Sequence, residues 1–268
     1  MLCQSVCALR YAVVMNETRS EQYGSAARGA WLQHSYGRLL DSAVHVELAR
    51  ILPNLFGYHL IQLGAWGGEN LLAASRIQHC VVIEACTDAD AARCDAVADI
   101  DALPIATDSV DVVLLPHALE FNDRPHDVLR EVERVLVPEG HVVIVVFNPL
   151  SLWGLARLWL GRRRRAPWNG RFFTATRVKD WLALLGFDVV LSRSICFRPP
   201  LRHEPMLQRL EFMERLGARW WPLLGAVTVL VGRKRVATLT PIKPRWRPRR
   251  SLVAGLAEPT HRSYRRER

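Results

Sequence analysis

Two stretches of this sequence combine residue types and spacings that could do chemistry. The first is Leu60-Ile61-Gln62-Leu63-Gly64-Ala65-Trp66-Gly67-Gly68, an apolar run that breaks into glycines and leads into a helix-forming segment, Glu69 to Arg76. A strand–turn–helix junction of this kind offers free backbone N–H groups at a helix N-terminus, where the polar groups of a nucleotide-like cofactor are held. Glycine matters there because it has no Cβ to obstruct the turn or a ligand resting on it. The spacing is not G-x-G-x-x-G, so the turn alone does not choose the cofactor. The second stretch is Leu115-Pro116-His117 with Glu120. An imidazole exchanges protons near neutral pH and suits a group that orients a substrate or takes its proton. A histidine that only lines a pocket is the competing reading, and Glu120 has the same two.

Around these residues the periodicity predicts alternating strands and helices. Residues 26–52 carry Trp31, Leu39, Leu40, Val44, Val46, Leu48, Ile51 and Leu52 at helical spacing. Strands are expected at Tyr58 to Leu63, Cys80 to Ile83, Val110 to Leu115 and His141 to Phe147. A helix is expected from Pro125 to Val137, with Asp123 as its N-cap and Pro138-Glu139-Gly140 ending it. Residues 85–102, with five aspartates, are short for a complete helix plus strand. Later, Thr174 to Leu185 reads as an amphipathic helix stopped by Gly186, and Phe187 to Leu191 and Ala226 to Val231 read as strands. The alternation predicts an α/β fold with a doubly wound, mostly parallel sheet.

Four features then follow one another in order. A strand ends in the glycine turn; a second strand ends about 20 residues on in Glu84, placed to accept hydrogen bonds from ribose hydroxyls. An acidic segment, Asp99-Ile100-Asp101, precedes Leu103-Pro104 and Ser109-Val110-Asp111-Val112-Val113. Last come Leu129-Arg130-Glu131, Arg134-Val135-Leu136 and Pro138-Glu139-Gly140. This series resembles the class I S-adenosylmethionine-dependent methyltransferases of the type 11 branch, whose pattern is LP…S-[FV]-D-x-V…L-x-E…R-V-L-x-P-x-G.

The resemblance implies a Rossmann-like fold and S-adenosylmethionine as cofactor. It implies that Gln62, Gly64, Trp66 and Gly68 cradle the methionine part, that Glu84 holds the ribose, and that Asp99 and the Ile100 backbone contact the adenine. Leu115-Pro116-His117 would then line the methyl-transfer cavity, with His117 as the catalytic candidate. Where the family reads D-x-G-x-G-x-G, this sequence has Gln62, Gly64, Trp66 and Gly68. An amide replaces the carboxylate, and Trp66 either caps the cofactor or fills part of its pocket. Asp111 reads as a strand-edge cap or as a site residue. Asn148-Pro149 follows the fifth strand rather than the fourth, so it reads as a turn and not as a nucleobase-methylation motif.

Composition bounds the rest. Half of the 268 residues are hydrophobic, as in globular chains. The net charge of +10 is uneven: residues 1–150 hold ten basic against nineteen acidic residues, and residues 151–268 hold twenty-six against seven. Leu150 to Leu160 is apolar and runs into Arg162-Arg163-Arg164-Arg165; it reads as an insertion, a lid over the substrate or a membrane-surface anchor. Trp168, Phe172, Phe173, Trp220 and Trp221 are expected to pack in the core or lid.

The expected organisation is an N-terminal extension (1–25), a methyltransferase domain (26–239) with the insertion at 149–173, and a basic, flexible tail (240–268). Met15 begins a more ordinary polar start than Met1. The six cysteines show no metal-site spacing, so free thiols and no metal are expected. No apolar run reaches the roughly 18 residues a membrane span needs, and the expected location is cytoplasmic. The expected partners are a small-molecule or lipid-like methyl acceptor, with RNA or an anionic membrane surface met through the basic second half. The rival reading is a catalytically silent relative that holds RNA or a protein through that half.

Overall fold

The β-branched runs at Val110–Pro116 and Leu136–Phe147 pair in parallel and form the centre of a sheet. The computed structural model describes residues 32–64, 66, 70–85, 94–160 (backbone alone at 159 and 160), 168, 170–201 and 203–235. Among these, seven strands form one sheet: β1 His59–Leu63, β2 His79–Glu84, β3 Ala96–Val97, β4 Val110–Pro116, β5 Leu136–Phe147, β6 Phe187–Ile195 and β7 Val227–Lys234. Their order is β3-β2-β1-β4-β5-β7-β6. The first five are parallel; β7 runs antiparallel between β5 and β6. The expected doubly wound, mostly parallel sheet is present, with the reversal of strand order between β1 and β4.

Successive strand residues feed opposite faces of this sheet. Leu60, Val112, Leu114, Val143 and Val145 pack with helix α1 (Ser35–Ile51) through Leu40, Val44 and Leu48. Ile61, Leu63, Val113, Leu115 and Ile144 pack with Val128, Leu129 and Val132 of α2 (Pro125–Val135), joined there by Val178 and Leu182. Burial on both faces is why these strands read as continuous apolar runs instead of alternating ones. The helix expected at 174–185 is α4 (Ala175–Leu184); Thr174 caps it, accepting from Arg177 N, and Gly186 ends it at φ +80°. Preceding it is α3 (Leu152–Leu160), and two short helices, α5 (Glu204–Arg209) and α6 (Phe212–Trp220), lie between β6 and β7.

Three local expectations are corrected. No α-helix follows the glycine turn among the described residues. The segment expected as Glu69 to Arg76 contains one 3₁₀ turn, Leu71–Ala74, which Asn70 Oδ1 caps by accepting from Leu72 N at 2.9 Å. Ser75 then turns the chain outward, its Oγ accepting from Ile77 N at 3.1 Å. A single 3₁₀ turn has little aligned dipole to offer an anion. Asp123 does not cap α2: that position belongs to Arg124, and the Asp123 carboxylate instead meets Arg171 at 3.2 Å. The helix also stops at Val135, and β5 begins before Pro138-Glu139-Gly140, which forms a bulge with Glu139 at φ +64°.

The residues of the family series are largely structural ties. Arg134 donates to Leu103 O (3.0 Å), Ile105 O (2.8 Å) and both carboxylate oxygens of Glu131 (3.1 and 2.8 Å). Glu131 in turn accepts from Leu103 N at 3.0 Å. Helix α2 thus holds the loop that leads from β3 to β4. The hydrogen bond from Arg134 keeps the Glu131 carboxyl below its ordinary range, against a smaller opposing effect of burial. Asp111 accepts from Tyr58 N (2.8 Å) and His59 N (2.9 Å), so it caps the entry of β1 and lies at the opposite end of the strands from the glycine turn.

Candidate active site

The C-terminal ends of the five parallel strands place the sequence-predicted residues in one row. Asp99 and Ile100 follow β3, Glu84 ends β2, Gly64 follows β1, His117 follows β4 and Phe147 ends β5. A ligand of a doubly wound sheet binds at this edge, where the strand order reverses. Here the reversal lies between β1 and β4, under Gly64 and His117.

Gly64 adopts φ +94°, and a Cβ built there would meet nothing closer than Ala118 Cβ at 3.9 Å. Gly64 is nevertheless buried, and its N–H donates to Ile83 O at 2.8 Å. Gln62 is buried and its Nε2 donates to Gly64 O at 2.8 Å. A carboxylate at 62 could not make that bond, so the amide fixes the turn from below. Glu84 is buried at the tip of β2, and its carbonyl accepts from Ala98 N at 3.1 Å. Asp99 is exposed beside the buried Ile100. Leu115 is fully buried in the core. Gly68 lies outside the described residues.

Trp66 does not stand over the turn as a free cap. Its ring is buried against His117, with centroids 4.2 Å apart, and lies 6.3 Å from Phe147. The His117 and Phe147 centroids are also 4.2 Å apart, so the three rings form one cluster. Phe172 at 4.9 Å and Trp153 at 6.2 Å from Phe147 extend it, and Trp168 lies tilted against Trp153 at 5.7 Å. Trp153, Trp168 and Phe172 thus join the ring cluster around Phe147.

Within this apolar surround sits a polar pair. His117 Nδ1 and Glu120 Oε1 are 2.9 Å apart and both side chains are fully buried. The same Oε1 accepts from Phe147 N at 2.7 Å, which anchors the carboxylate to the end of β5. His117 has φ +55°, a conformation that costs a non-glycine residue roughly 1–2 kcal/mol. Its other ring nitrogen, Nε2, and the other oxygen, Glu120 Oε2, have no hydrogen-bond partner among the described residues. Buried polar atoms are nearly always satisfied. A backbone at positive φ thus carries a buried, carboxylate-backed imidazole with one unsatisfied nitrogen beside the strand-order reversal. Sequence reasoning named His117 and left Glu120 undecided; the i,i+3 spacing was the available signal. It did not single out Phe147 or Trp153 as neighbours of His117, because nothing local marks which aromatics meet there; Phe172, expected in the core or lid, stacks on Phe147.

A methyltransferase-domain family model matches residues 63–144. The uncharacterized protein YafS of Escherichia coli K12 is 34% identical over 214 residues, 80% of this chain and 84% of its own length. The chain belongs to the class I S-adenosylmethionine-dependent methyltransferases. Its cofactor is S-adenosylmethionine, and it is an enzyme of that class. A malonyl-[acyl-carrier protein] O-methyltransferase of Halorhodospira halophila is 39% identical over 98 residues, which is 35% of this chain and 32% of that one. The fold is also that of a SAM-dependent methyltransferase of Thermotoga maritima, with a TM-score of 0.55 at 16% identity, covering 77% of this chain and 94% of that one. The positive-φ turn at Gly64, the buried Glu84 carboxylate and the exposed Asp99 beside the buried Ile100 have chemistry that fits such a cofactor. Among the described residues no group of three or more His, Cys, Asp or Glu is placed to hold a metal ion.

Proposed function

We propose that this methyltransferase acts on a small, largely apolar acceptor bearing a hydroxyl or amine, and that His117 takes the acceptor's proton. The buried His117–Glu120 pair, with Nε2 unpartnered among the described residues, carries the reading. S-adenosylmethionine supplies a methyl already activated on a sulfonium, so the protein's task is alignment and removal of a proton. Gly64 and Gly68 would lie beneath its methionine part, with Gln62 fixing the turn and Trp66 closing one side. Glu84 would accept from the ribose hydroxyls, and Asp99 with the Ile100 backbone would meet the adenine above Leu115. At His117, Nε2 receives the proton as the acceptor's oxygen or nitrogen gains the methyl, and Glu120 stabilises the resulting imidazolium.

Trp66 belongs to the glycine turn and also covers His117, so ordering that turn around a cofactor and uncovering the imidazole would be linked. The aromatic wall from Phe147 to Trp168 favours an apolar acceptor over a polymeric polar one, with residues 149–173 acting as the lid. The match to malonyl-[acyl-carrier protein] O-methyltransferases spans too little of either chain to bring their acceptor across.

Calorimetric titration with S-adenosylmethionine and S-adenosylhomocysteine tests the cofactor half. Saturable binding is expected, weakened about tenfold or more by Glu84→Ala through loss of a charge-assisted hydrogen bond. Absence of heat at millimolar ligand with a folded sample would sink the reading.

A further inference from the structure

The edge of the sheet that carries the site also carries large apolar side chains exposed to solvent. Helix α3 buries Trp153 and turns Leu152, Leu155 and Leu158 outward at i, i+3 and i+6, the last of them 70% exposed. A groove of about 370 Å³ runs along it, closed on its far side by Leu224 and floored by Phe172. Leu224 belongs to the turn after α6, and Asn148 pins that turn to the end of β5. Its side-chain amide donates to Leu223 O at 2.6 Å and to Gly225 O at 3.0 Å. The apolar surface therefore continues from α3 into Leu223 and Trp221, and on to Trp220, which is 68% exposed. Expected to pack inside, Trp220 and Trp221 instead face outward.

Helix α6 extends the surface, with Phe212, Leu216 and Trp220 one turn apart and all exposed. Its Gly217 is pressed on Phe197, where a Cβ would come within 2.4 Å of the ring. Of the acidic residues nearby, Glu211 is exposed and the others are paired. Glu214 is taken up by Arg198 at 3.3 Å and Glu204 by Arg38 at 3.7 Å. Arg215 and Arg219 are exposed and enter no ion pair among the described residues. Arg162 to Arg165 follow α3 in sequence after Gly161.

We propose that this face docks on an anionic phospholipid bilayer. Contiguous exposed leucine and tryptophan of this kind mark an interaction surface rather than an ordinary solvated one. The tryptophans suit the headgroup boundary, where a ring finds an apolar body below and water above. Arg215 and Arg219 beside the stripe meet the phosphates of the negative leaflet. Among the described residues no helix is long and apolar enough to cross a membrane, so α3 and α6 lie in the plane of the interface. Docked this way, the strand ends bearing His117 and Phe147 face the bilayer; that an apolar acceptor arrives from it rests on the functional reading above, whereas the docking itself does not.

Vesicle flotation of the full chain, without cofactor, tests the docking. Binding is expected to phosphatidylcholine vesicles containing phosphatidylglycerol, with little to phosphatidylcholine alone. Leu155→Glu/Leu223→Glu should weaken it at least about tenfold, since each removes one inserted side chain, and both positions are exposed enough to leave the thermal midpoint in place. Quenching of tryptophan emission by lipids brominated along their acyl chains is expected in the unaltered protein and needs no variant. Three results would overturn the proposal: no flotation with anionic vesicles, flotation unchanged in the double variant, or binding to RNA or an acidic protein with no acyl-chain quenching. Because no activity is read, failure here leaves the methyl-transfer reading standing, and failure to bind S-adenosylmethionine leaves the docking standing.

Discussion

Two polar clusters of this methyltransferase differ in what they leave unsatisfied. On the α2 side, Arg134 spends its guanidinium on Leu103 O, Ile105 O and the Glu131 carboxylate, and Glu131 returns a bond to Leu103 N. At the end of β4, His117 and Glu120 are tied to each other and to Phe147 N, yet each keeps one buried polar atom unpartnered among the described residues. The first cluster is closed and fixes a loop. The second keeps unsatisfied atoms although both of its side chains are fully buried. Residues that dominate the family's sequence signature thus belong mainly to architecture, while the pair proposed to react is barely marked in it.

That division can be broken by experiment. The largest effect is expected at Trp66→Ala, which empties the ring cluster around His117 and should cost about 3–5 kcal/mol of stability by urea unfolding; a loss below about 1 kcal/mol would mean that the rings do not hold the site together. Next, His117→Asn should lower methyl-transfer turnover about 100- to 1,000-fold while binding S-adenosylmethionine normally. Asparagine tolerates positive φ, so its urea midpoint should stay near that of the unaltered protein, and an equal loss in both measurements would erase the distinction.

Arg134→Ala should do the reverse, lowering stability by about 2 kcal/mol with turnover at saturating ligand unchanged. The smallest effect concerns acid. Glu131 is held by Arg134 below its ordinary value near 4.5, so its contribution is present above that pH and is lost as pH falls through it toward the folded-state value. The pair is largely solvated, so Glu131→Gln should flatten this acid limb by less than about 1 kcal/mol; an unchanged limb would remove Glu131 from the account.

Much of this was legible along the chain. The strands at 58–63, 80–83, 110–115 and 141–147 and the helix at 174–185 fall within a few residues of their observed bounds, because buried apolar runs and a Thr cap with a closing Gly are local signals. The segment Glu69 to Arg76 was misread as a helix, since Asn70 and Ser75 capture the backbone on either side of one 3₁₀ turn. Trp220 and Trp221 were misplaced for a different reason. Composition says that tryptophan is usually buried, and only the path of the chain after α6 shows that these two are not.

The sequence by itself determined the family, the cofactor and the strand ends where the cofactor's contacts are expected, because these depend on residue order within single turns and strands. Only the tertiary structure decided what Asp111, Arg134, Trp66 and Glu120 do. Each acts on a partner 3 to 81 residues away in sequence: Asp111 on Tyr58, Arg134 on Leu103, Trp66 on Phe147, Glu120 on His117. Whether such a polar group ends up satisfied or open is set by what the fold brings beside it. That difference in satisfaction, more than residue type, separates the scaffold from the site.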